Sequence, residues 1–537
     1  MNPSQPSQPS RPSQPTGAAR PTGPSPAGAS QPARPSHAEN PARTATAGST
    51  GAPGPRRRLP RGRILRIELR RSTALWPGAL LLLGSIALLQ LFGGGPWSEG
   101  AESWTAQWTS TAWWERYLMA FLWPLAVAAG AVQGLRDHRS RMTELLGTTS
   151  RPTWQRSART AGAPALTLAV AYLLVFLYGG VQVIGNEGYA HLRWLPILIV
   201  GALALVAAAW LGMGVARTLP SALTPPALAM ATLMAVVLVH DAVTPGMFPN
   251  RIVLLSPSLT EVHSTFLTVA WRVNAGQAVW LLGLAATGFL LLVAGKPRAR
   301  LLALLPVVLG AAVAVPLLPA HADRNFVVDK AATALVCDGP VCVTWVHERE
   351  LVTLAGPTGR ENGESPGEKA LRLLAGLPDP PSAVRETVPA WPPGTWQPQA
   401  PPQPAGLVPV DFEAQALSGA TEDEVLRGLL AGAGTAPCVV PLRSYPTEEE
   451  EGRYDRTKAV RELAARTVSA AWFTGELKPL PGAGELRADA SRLAGPAWDA
   501  LRALPADEQR ARIAALRTAA LRCEGDLLTV LGEDGPR

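Results

Sequence analysis

The sequence predicts a polytopic α-helical membrane protein that carries a mixed α/β domain outside the membrane. Three observations predict this fold: seven long apolar segments between residues 74 and 319, positive charge in alternate loops, and four cysteines that all follow the last apolar segment. A helix crosses a bilayer with about 20 mainly apolar residues. Seven such runs with almost no internal charge would be unusual in a water-soluble protein, so we expect them to span a membrane.

The predicted transmembrane domain covers residues 74–319. Its Gly and Ala residues should allow helices to approach closely. The seven predicted spans are 74–94, 117–135, 163–184, 194–215, 222–243, 277–295 and 301–319.

The ends of the chain differ in composition from this domain. Residues 1–55 consist largely of Pro, Ser, Gln, Ala and Gly. A segment with so few apolar side chains cannot offset its ordering entropy, so we expect a disordered tail. Residues 56–73 form a basic, amphipathic segment before the first span, and residues 320–537 have the composition of a soluble domain.

Charge fixes the expected direction of the spans. Residues 1–319 carry 26 Lys and Arg against 10 Asp and Glu, whereas residues 320–537 carry 23 against 31. The basic residues concentrate before the first span and in the loops that follow spans two, four and six. Loops rich in Lys and Arg stay in the cytoplasm. We therefore expect a cytoplasmic N-terminus, a plasma-membrane location and an extracytoplasmic C-terminal domain, and the basic balance does not indicate nucleic-acid binding.

The first outer loop contains five tryptophans. An indole is half apolar and half polar, which suits a membrane–water interface, so we expect these side chains to lie there. They are Trp97, Trp104, Trp108, Trp113 and Trp114.

The cysteines support the same orientation. Cys337, Cys342, Cys438 and Cys523 all lie in the segment expected outside the cell. An even number of cysteines confined to an oxidising compartment predicts two disulfides, for which three pairings exist. Because Asp-Gly-Pro between the first two cysteines is typical of a turn, we favour Cys337–Cys342, which leaves Cys438–Cys523.

The same stretch could suggest a metal site. Zinc bound by Cys337, Cys342 and His347 would lack the usual second pair of ligands. A zinc-protease helix needs a second His four residues after His347, and position 351 is Leu. We therefore expect no metal here. Residues 341–346 instead predict a buried strand, with Trp345 in the core, that leads into a turn or helix at His347.

The rest of the C-terminal domain is predicted as mixed α/β. Apolar residues at helical spacing predict helices over 367–376, 422–433, 457–473 and 506–523. The proline-rich residues 377–406 are expected to form an extended loop.

Motifs for nucleotide chemistry are absent from the sequence. The chain contains neither GxxxxGK[ST] nor a Rossmann glycine fingerprint after a strand. We expect no enzyme activity in this chain and no cofactor. Within the predicted spans, only His240-Asp241 approaches an ionisable pair, and its place at a helix end favours a structural role.

The loop between spans two and three is the most informative soluble segment. Leu135, Met142, Leu145 and Leu146 can share one face of a short helix that ends at Gly147 and Arg151-Pro152. The alternative is a positively charged loop that only fixes topology.

Residues 141–156, RMTELLGTTSRPTWQR, resemble the inner loop of ABC-2-type permeases, and the likeness is strongest to those of actinobacteria. It covers about residues 59–296, so spans 74–94 to 277–295 would be six permease-like spans, to which this chain adds a seventh and the C-terminal domain. The resemblance implies a coupling helix that contacts a separate ATPase subunit. Arg141 and Glu144 would make polar contacts and Leu145 and Leu146 would anchor the packing, and Arg151, where the short helix ends, belongs to the same coupling loop.

The likeness also extends to the layout. The segment 59–71 precedes span one where the family has a connecting helix. The outer loop 244–275 lies where the family has short re-entrant helices, and its apolar pieces 252–255 and 266–271 suit such helices. The family further implies a second copy or a sister permease as the partner within the bilayer.

Three functions follow from the sequence. The first is the permease subunit of an ABC-type exporter, driven by an ATPase that docks on loop 136–160. The alternative is a non-transporting membrane scaffold or sensor whose outer domain binds an envelope ligand or protein. A glycosyltransferase is weaker, because Glu99, Glu102 and Glu115 of the first outer loop have no accompanying Asp-containing metal motif.

Overall fold

A computed structural model gives the fold over most of the chain. It describes residues 75–93, 104–105, 107–136, 153–186, 191–241, 248–259, 265–355, 364–388, 398–412, 417, 420–440 and 448–532. The N-terminal tail and the basic segment before residue 74 lie outside the described residues. So do Arg141, Glu144, Leu145, Leu146 and Arg151 of the predicted coupling loop.

Helices occupy all seven predicted span positions. The helices of this part of the chain are α1 (Leu75–Gly93), α2 (Trp108–Tyr117), α3 (Met119–Gly134), α4 (Thr153–Asn186), α5 (Trp194–Thr218), α6 (Thr224–Asp241), α7 (Asn250–Val253), α8 (Trp271–Val293), α9 (Pro297–Leu302) and α10 (Leu305–Leu317).

Four of these stretches are long and apolar enough to cross a membrane by themselves: α4, α5, α8, and α9 together with α10. The pair α2 and α3, bent by 56°, makes a fifth if it counts as one broken span. The apolar parts of α1 and α6 are shorter, Leu75–Leu91 and Thr224–Val239. The described residues therefore fit a helical membrane protein with four or five spans by length and composition.

Helix α5 lies at the centre of the bundle, against α3, α4 and α8. Glycines permit these contacts. A Cβ on Gly212 would lie 2.0 Å from the carbonyl oxygen of Val127, and a Cβ on Gly130 would lie 2.2 Å from that of Ala209. The α3 and α5 backbones therefore touch at a crossing that only glycine allows. Large side chains such as Leu80, Leu177 and Leu309 are exposed on the outer faces of the bundle, where lipid would cover them.

The C-terminal domain has its own hydrophobic core, formed by residues between Val341 and Leu531. Its sheet contains β3 (Leu335–Asp338), β4 (Val341–Thr344), β5 (Ala383–Glu386) and β6 (Leu407–Val410) in that order. Strands β3 and β4 form an antiparallel hairpin, whereas β4–β5 and β5–β6 pair in parallel. The helices are α11 (Glu348–Ala355), α12 (Pro366–Leu374), α13 (Glu422–Leu430), α14 (Glu448–Arg453), α15 (Arg456–Thr474), α16 (Arg487–Arg502), α17 (Ala506–Arg522) and α18 (Leu527–Val530).

The four predicted helices of this domain are confirmed as α12, α13, α15 and α17, and α16 was not predicted. Two predictions were wrong. The proline-rich segment contains β5, which β4 and β6 cover on both edges, so residues 377–406 are not simply an extended loop. Trp345 is 39% exposed, although Val341, Val343 and Val346 are buried as predicted.

Both predicted disulfides are present. Cys337 and Cys342 face each other across the β3–β4 hairpin, with Cα atoms 4.0 Å apart. Gly339 in the turn has a φ of 56°, a backbone conformation that glycine adopts without strain. Cys438 and Cys523, with Cα atoms 5.3 Å apart, join the segment after α13 to the end of α17.

A second, two-stranded sheet connects the membrane helices to the C-terminal segment. Strand β1 (Leu267–Val269), just before α8, pairs antiparallel with β2 (Phe326–Val328), just after α10. The expectation of re-entrant helices in the outer loop was therefore wrong for residues 266–271. The piece at 252–255 does overlap a short helix, α7.

Candidate functional site in the membrane helices

A buried arginine lies where α2 meets α3. Arg116 is fully buried and donates through Nε and Nη2 to the carbonyl oxygen of Pro257, at 3.0 and 2.8 Å. Its Nη2 also donates to Gln277 Oε1 at 3.0 Å, and Nη1 lies 3.4 Å from the Ile197 carbonyl oxygen. A charged side chain among apolar helices is costly unless it is fully hydrogen-bonded. Arg116 meets this need by joining α2, α5, α8 and the loop after α7.

The loop after α7 is held from two further sides. Gln277 Nε2 donates to the carbonyl oxygens of Leu254 and Ser256 at 3.0 and 3.1 Å. Trp280, one turn further along α8, donates from its indole N–H to the Leu255 carbonyl oxygen at 3.0 Å. The loop carbonyls therefore point into the bundle, toward Arg116 and α8.

A buried carboxyl group lies next to this arginine in sequence. Glu115 is 1% exposed, and Tyr172 of α4, also 1% exposed, interacts electrostatically with it. Neither carboxyl oxygen of Glu115, nor the Tyr172 hydroxyl, has a partner at hydrogen-bond geometry within the described part of the chain. Gly201 of α5 makes room here, because a Cβ at that position would lie 2.1 Å from Tyr172 Oη.

The break between α2 and α3 places both ionisable side chains inside the bundle. Leu118 separates the two helices, which bend by 56°. Trp113 of α2 is fully buried and stacks on Phe326 of β2, with ring centroids 4.8 Å apart. The prediction of half-hydrated interface indoles is therefore wrong for Trp113, whose ring packs against the C-terminal segment. It is also wrong for Trp104 and Trp114, which are 5% and 9% exposed.

Polar contacts tie the C-terminal segment to the same end of the bundle. Asn250 and Asn325 exchange two side-chain hydrogen bonds of 2.9 and 3.0 Å. Arg193 before α5 forms an ion pair with the buried Asp329, with Nε and Oδ2 3.3 Å apart. Arg349 of α11 donates to the carbonyl oxygens of Ile184 and Gly185 at the end of α4. These bonds, together with the β1–β2 pairing, join the domain to the helices at several points.

The C-terminal domain has buried charges of its own, and they serve its structure. Glu462 accepts hydrogen bonds from the backbone N–H groups of Cys438 and Val439. Burial lowers the pKa of Arg466, which donates to the Thr435 carbonyl oxygen at 2.8 Å. Arg517 donates to the carbonyl oxygens of Ala433 and Ala405. Each of these side chains satisfies backbone groups of a loop.

The predicted site residues and the observed site do not overlap. The predicted coupling loop lies outside the described residues, and the four cysteines form the two disulfides. Arg116 and Gln277 were not predicted as site residues, and Glu115 was considered only as a carboxylate of the first outer loop. The sequence does contain a feature that could have indicated burial of this pair. Glu115-Arg116 directly precedes the apolar run at 117–135 and follows a Trp-rich segment that can be buried.

Within the described residues, no group of three His, Cys, Asp or Glu side chains could hold a metal ion. Comparison with protein-family models, curated proteins and solved structures found no match for this chain.

Proposed function

We propose that this chain is the membrane subunit of an ABC-2-type exporter, with its N-terminus in the cytoplasm, seven spans in the plasma membrane and its C-terminal domain outside. A separate ATPase subunit docks on loop 136–160, and a second copy or a sister permease completes the pathway. ATP-driven movement of that loop would rock the spans between inward and outward openings. The proposal rests on the loop sequence, the distribution of positive charge and the length of α4.

The length of α4 is the observation that carries this proposal. Its 34 residues span about 51 Å at 1.5 Å per residue, whereas the hydrocarbon core is about 30 Å thick. Its apolar part begins near Ala163, so the polar first turns, with Arg156 and Arg159, extend beyond the membrane. They continue directly from the predicted coupling loop and would give a soluble partner a rigid surface.

The test is recovery of an ATPase subunit with the purified protein. We expect the Leu145→Asp/Leu146→Asp double variant to insert normally but to lose the ATPase, because two charges replace the packing anchor. The matched control is Leu219→Asp/Leu223→Asp. Those leucines are exposed between α5 and α6, at the same end of the bundle. Equal ATPase recovery with the wild type and the Leu145/Leu146 variant would contradict the assignment of a coupling helix to this loop.

A second function is favoured by the attachment of the C-terminal domain. Paired strands and the Arg349 and Asp329 contacts fix this domain to the helix ends, so a ligand bound to it could alter the bundle. This arrangement suits a sensor or scaffold for an envelope ligand or protein. Recovery of an envelope protein held by residues 320–537, with no ATPase, would favour it over the exporter.

A further inference from the structure

Glu115 is a buried acid without a matching base. It projects from α2, which packs against α3, α4 and α5. Its neighbour Arg116 already uses its guanidinium nitrogens on Pro257, Ile197 and Gln277. The two carboxyl oxygens of Glu115 therefore lie in an apolar bundle with no described group at hydrogen-bond geometry. An ionised carboxylate in such a place would be strongly destabilised, whereas a neutral carboxylic acid would not.

Helix α5 packs tightly against Tyr172 and Arg116, the two side chains next to Glu115. Tyr172 Oη and Arg116 Cδ lie 2.1 and 2.8 Å from the position that a Cβ on Gly201 would occupy. The backbone of α5 at Gly201 therefore packs directly against Tyr172, with no space for a side chain between them. A metal ion would also need several ligands, and the described residues contain no group of three His, Cys, Asp or Glu side chains that could hold one. No described group donates a hydrogen bond to the Glu115 carboxyl oxygens, and a bound proton would neutralise this buried group.

We propose that Glu115 is a proton-binding site of the membrane domain, and that release of its proton requires α2 to part from α4 and α5. In the release step the carboxyl O–H bond breaks, the electron pair stays on the carboxylate, and the proton passes to water admitted between the helices. Re-binding of the proton allows the helices to close again. Proton binding at Glu115 does not require the proposed ATPase coupling.

The titratable groups around Glu115 are few. Arg116 lies on the same helix, and Tyr172 is the one titratable side chain of α4 that is near. Helix α5 contributes none here, because Arg217 lies at its far end, and α3 has no ionisable residue. No other described carboxyl or imidazole group competes for the proton at this position, so Glu115 alone should set the response.

Infrared difference spectroscopy tests the first half of the proposal. The full-length protein in lipid nanodiscs at about pH 8 should show the C=O stretching band of one protonated carboxylic acid. The band should vanish in Glu115→Gln, whose amide matches the neutral acid in shape. It should persist in Glu485→Gln, because that side chain is 83% exposed. Tyr172→Phe should shift the band, because it removes the neighbouring phenol.

Hydrogen exchange tests the second half. If one proton leaves at each opening, the hydrogen-exchange protection of the α2 amides should fall as the pH rises. The fall should reach up to tenfold per pH unit in the range where the proton is released. In Glu115→Gln this protection should not depend on pH, and α8 provides an internal reference in both proteins. A wild-type spectrum without a protonated-acid band, or with one that survives in Glu115→Gln, would overturn the site. A band that behaves as expected with pH-independent α2 protection would overturn the link to opening.

Discussion

His347 Nδ1 lies 2.6 Å from Glu386 Oε1, and the two side chains are only 10% and 1% exposed. The other carboxyl oxygen of Glu386 accepts the backbone N–H of Thr344, also at 2.6 Å. The imidazole ring contacts Phe266 and Phe412, with centroids 5.7 and 5.0 Å away. Because Phe266 directly precedes β1, this pair connects the C-terminal sheet to the strand that enters α8. The His347–Glu386 pair thus has a structural role, at the contact between the C-terminal sheet and the residue before β1.

The first prediction concerns the hydrogen bonds of Glu386 to His347 and Thr344. Glu386→Ala should reduce the free energy of unfolding by about 3 kcal/mol, because it leaves two buried donors without an acceptor. Glu386→Gln keeps an oxygen for the Thr344 N–H and should lose much less. Thermal unfolding of the purified protein measures both variants, and equal losses would show that the hydrogen bond to Thr344, which only Glu386→Gln retains, contributes little.

The second prediction concerns Arg116. Lysine carries the same charge but cannot donate twice to the Pro257 carbonyl oxygen while also reaching Gln277. Arg116→Lys should therefore destabilise the protein by about 2 kcal/mol, since buried carbonyl groups lose their donors. Arg272→Lys is the matched control, because Arg272 is exposed beside the Trp271 ring. The melting temperature in detergent gives the comparison, and an unchanged value for Arg116→Lys would show that the Arg116 hydrogen bonds to Pro257 and Gln277 do not stabilise the bundle.

The third prediction concerns the α3–α5 crossing. An alanine at Gly212 would place its Cβ 2.0 Å from a backbone oxygen, which no side-chain movement can relieve. Gly212→Ala should push the two helices apart and lower the yield of monodisperse protein in fluorescence-detected size-exclusion chromatography. Gly84→Ala, in α1, has no atom within 4 Å of the new Cβ and should behave like the wild type. Similar yields for the two variants would argue against tight backbone contact.

The membrane helices could be predicted from sequence because their signal is local. A run such as 194–215 contains almost nothing but apolar residues, and α5 covers it. The pairing Cys337–Cys342 was equally local, since a two-residue turn brings the cysteines together. The same holds for α15 and α17, whose apolar spacing lies within single segments.

The candidate site could not be predicted because its parts are far apart in the chain. Arg116 meets Pro257 and Gln277 across 141 and 161 residues, and only the folded bundle brings them together. Strand β5 was hidden by the prolines around it, since its stability comes from β4 and β6 on its two edges. The β1–β2 pairing likewise joins segments on either side of α8 and α10.

The fourth prediction ranks the two disulfides. A cross-link restricts the unfolded chain more when it closes a longer loop. The sequence separations of 85 and 5 residues correspond to about 4.5 kcal/mol for Cys438–Cys523 and about 2 kcal/mol for Cys337–Cys342. Replacing Cys438 and Cys523 by serine should therefore lower the unfolding temperature of the C-terminal domain more than replacing the other pair. The reverse order would contradict the loop-length argument.

The last prediction concerns pH and the start of α13. Thr421 Oγ1 accepts from the Glu424 N–H, and Glu424 Oε2 accepts from the Thr421 N–H at 2.9 Å. The hydrogen bonds from Thr421, its backbone N–H first, lower the pKa of Glu424. A carboxyl group whose pKa is lower in the folded state adds stability above its unfolded pKa, and this is lost as the pH falls through the folded value. Glu424→Gln should thus be less stable than the wild type at pH 7, and the difference should shrink in acid.

The variants at Thr421 test the same helix start. Thr421→Ala should lower the free energy of unfolding by about 1 kcal/mol at pH 7, whereas Thr421→Ser keeps the hydroxyl and should lower it little. Thermal unfolding at several pH values measures all three variants, and a wild-type advantage over Glu424→Gln that grows in acid would contradict this sign.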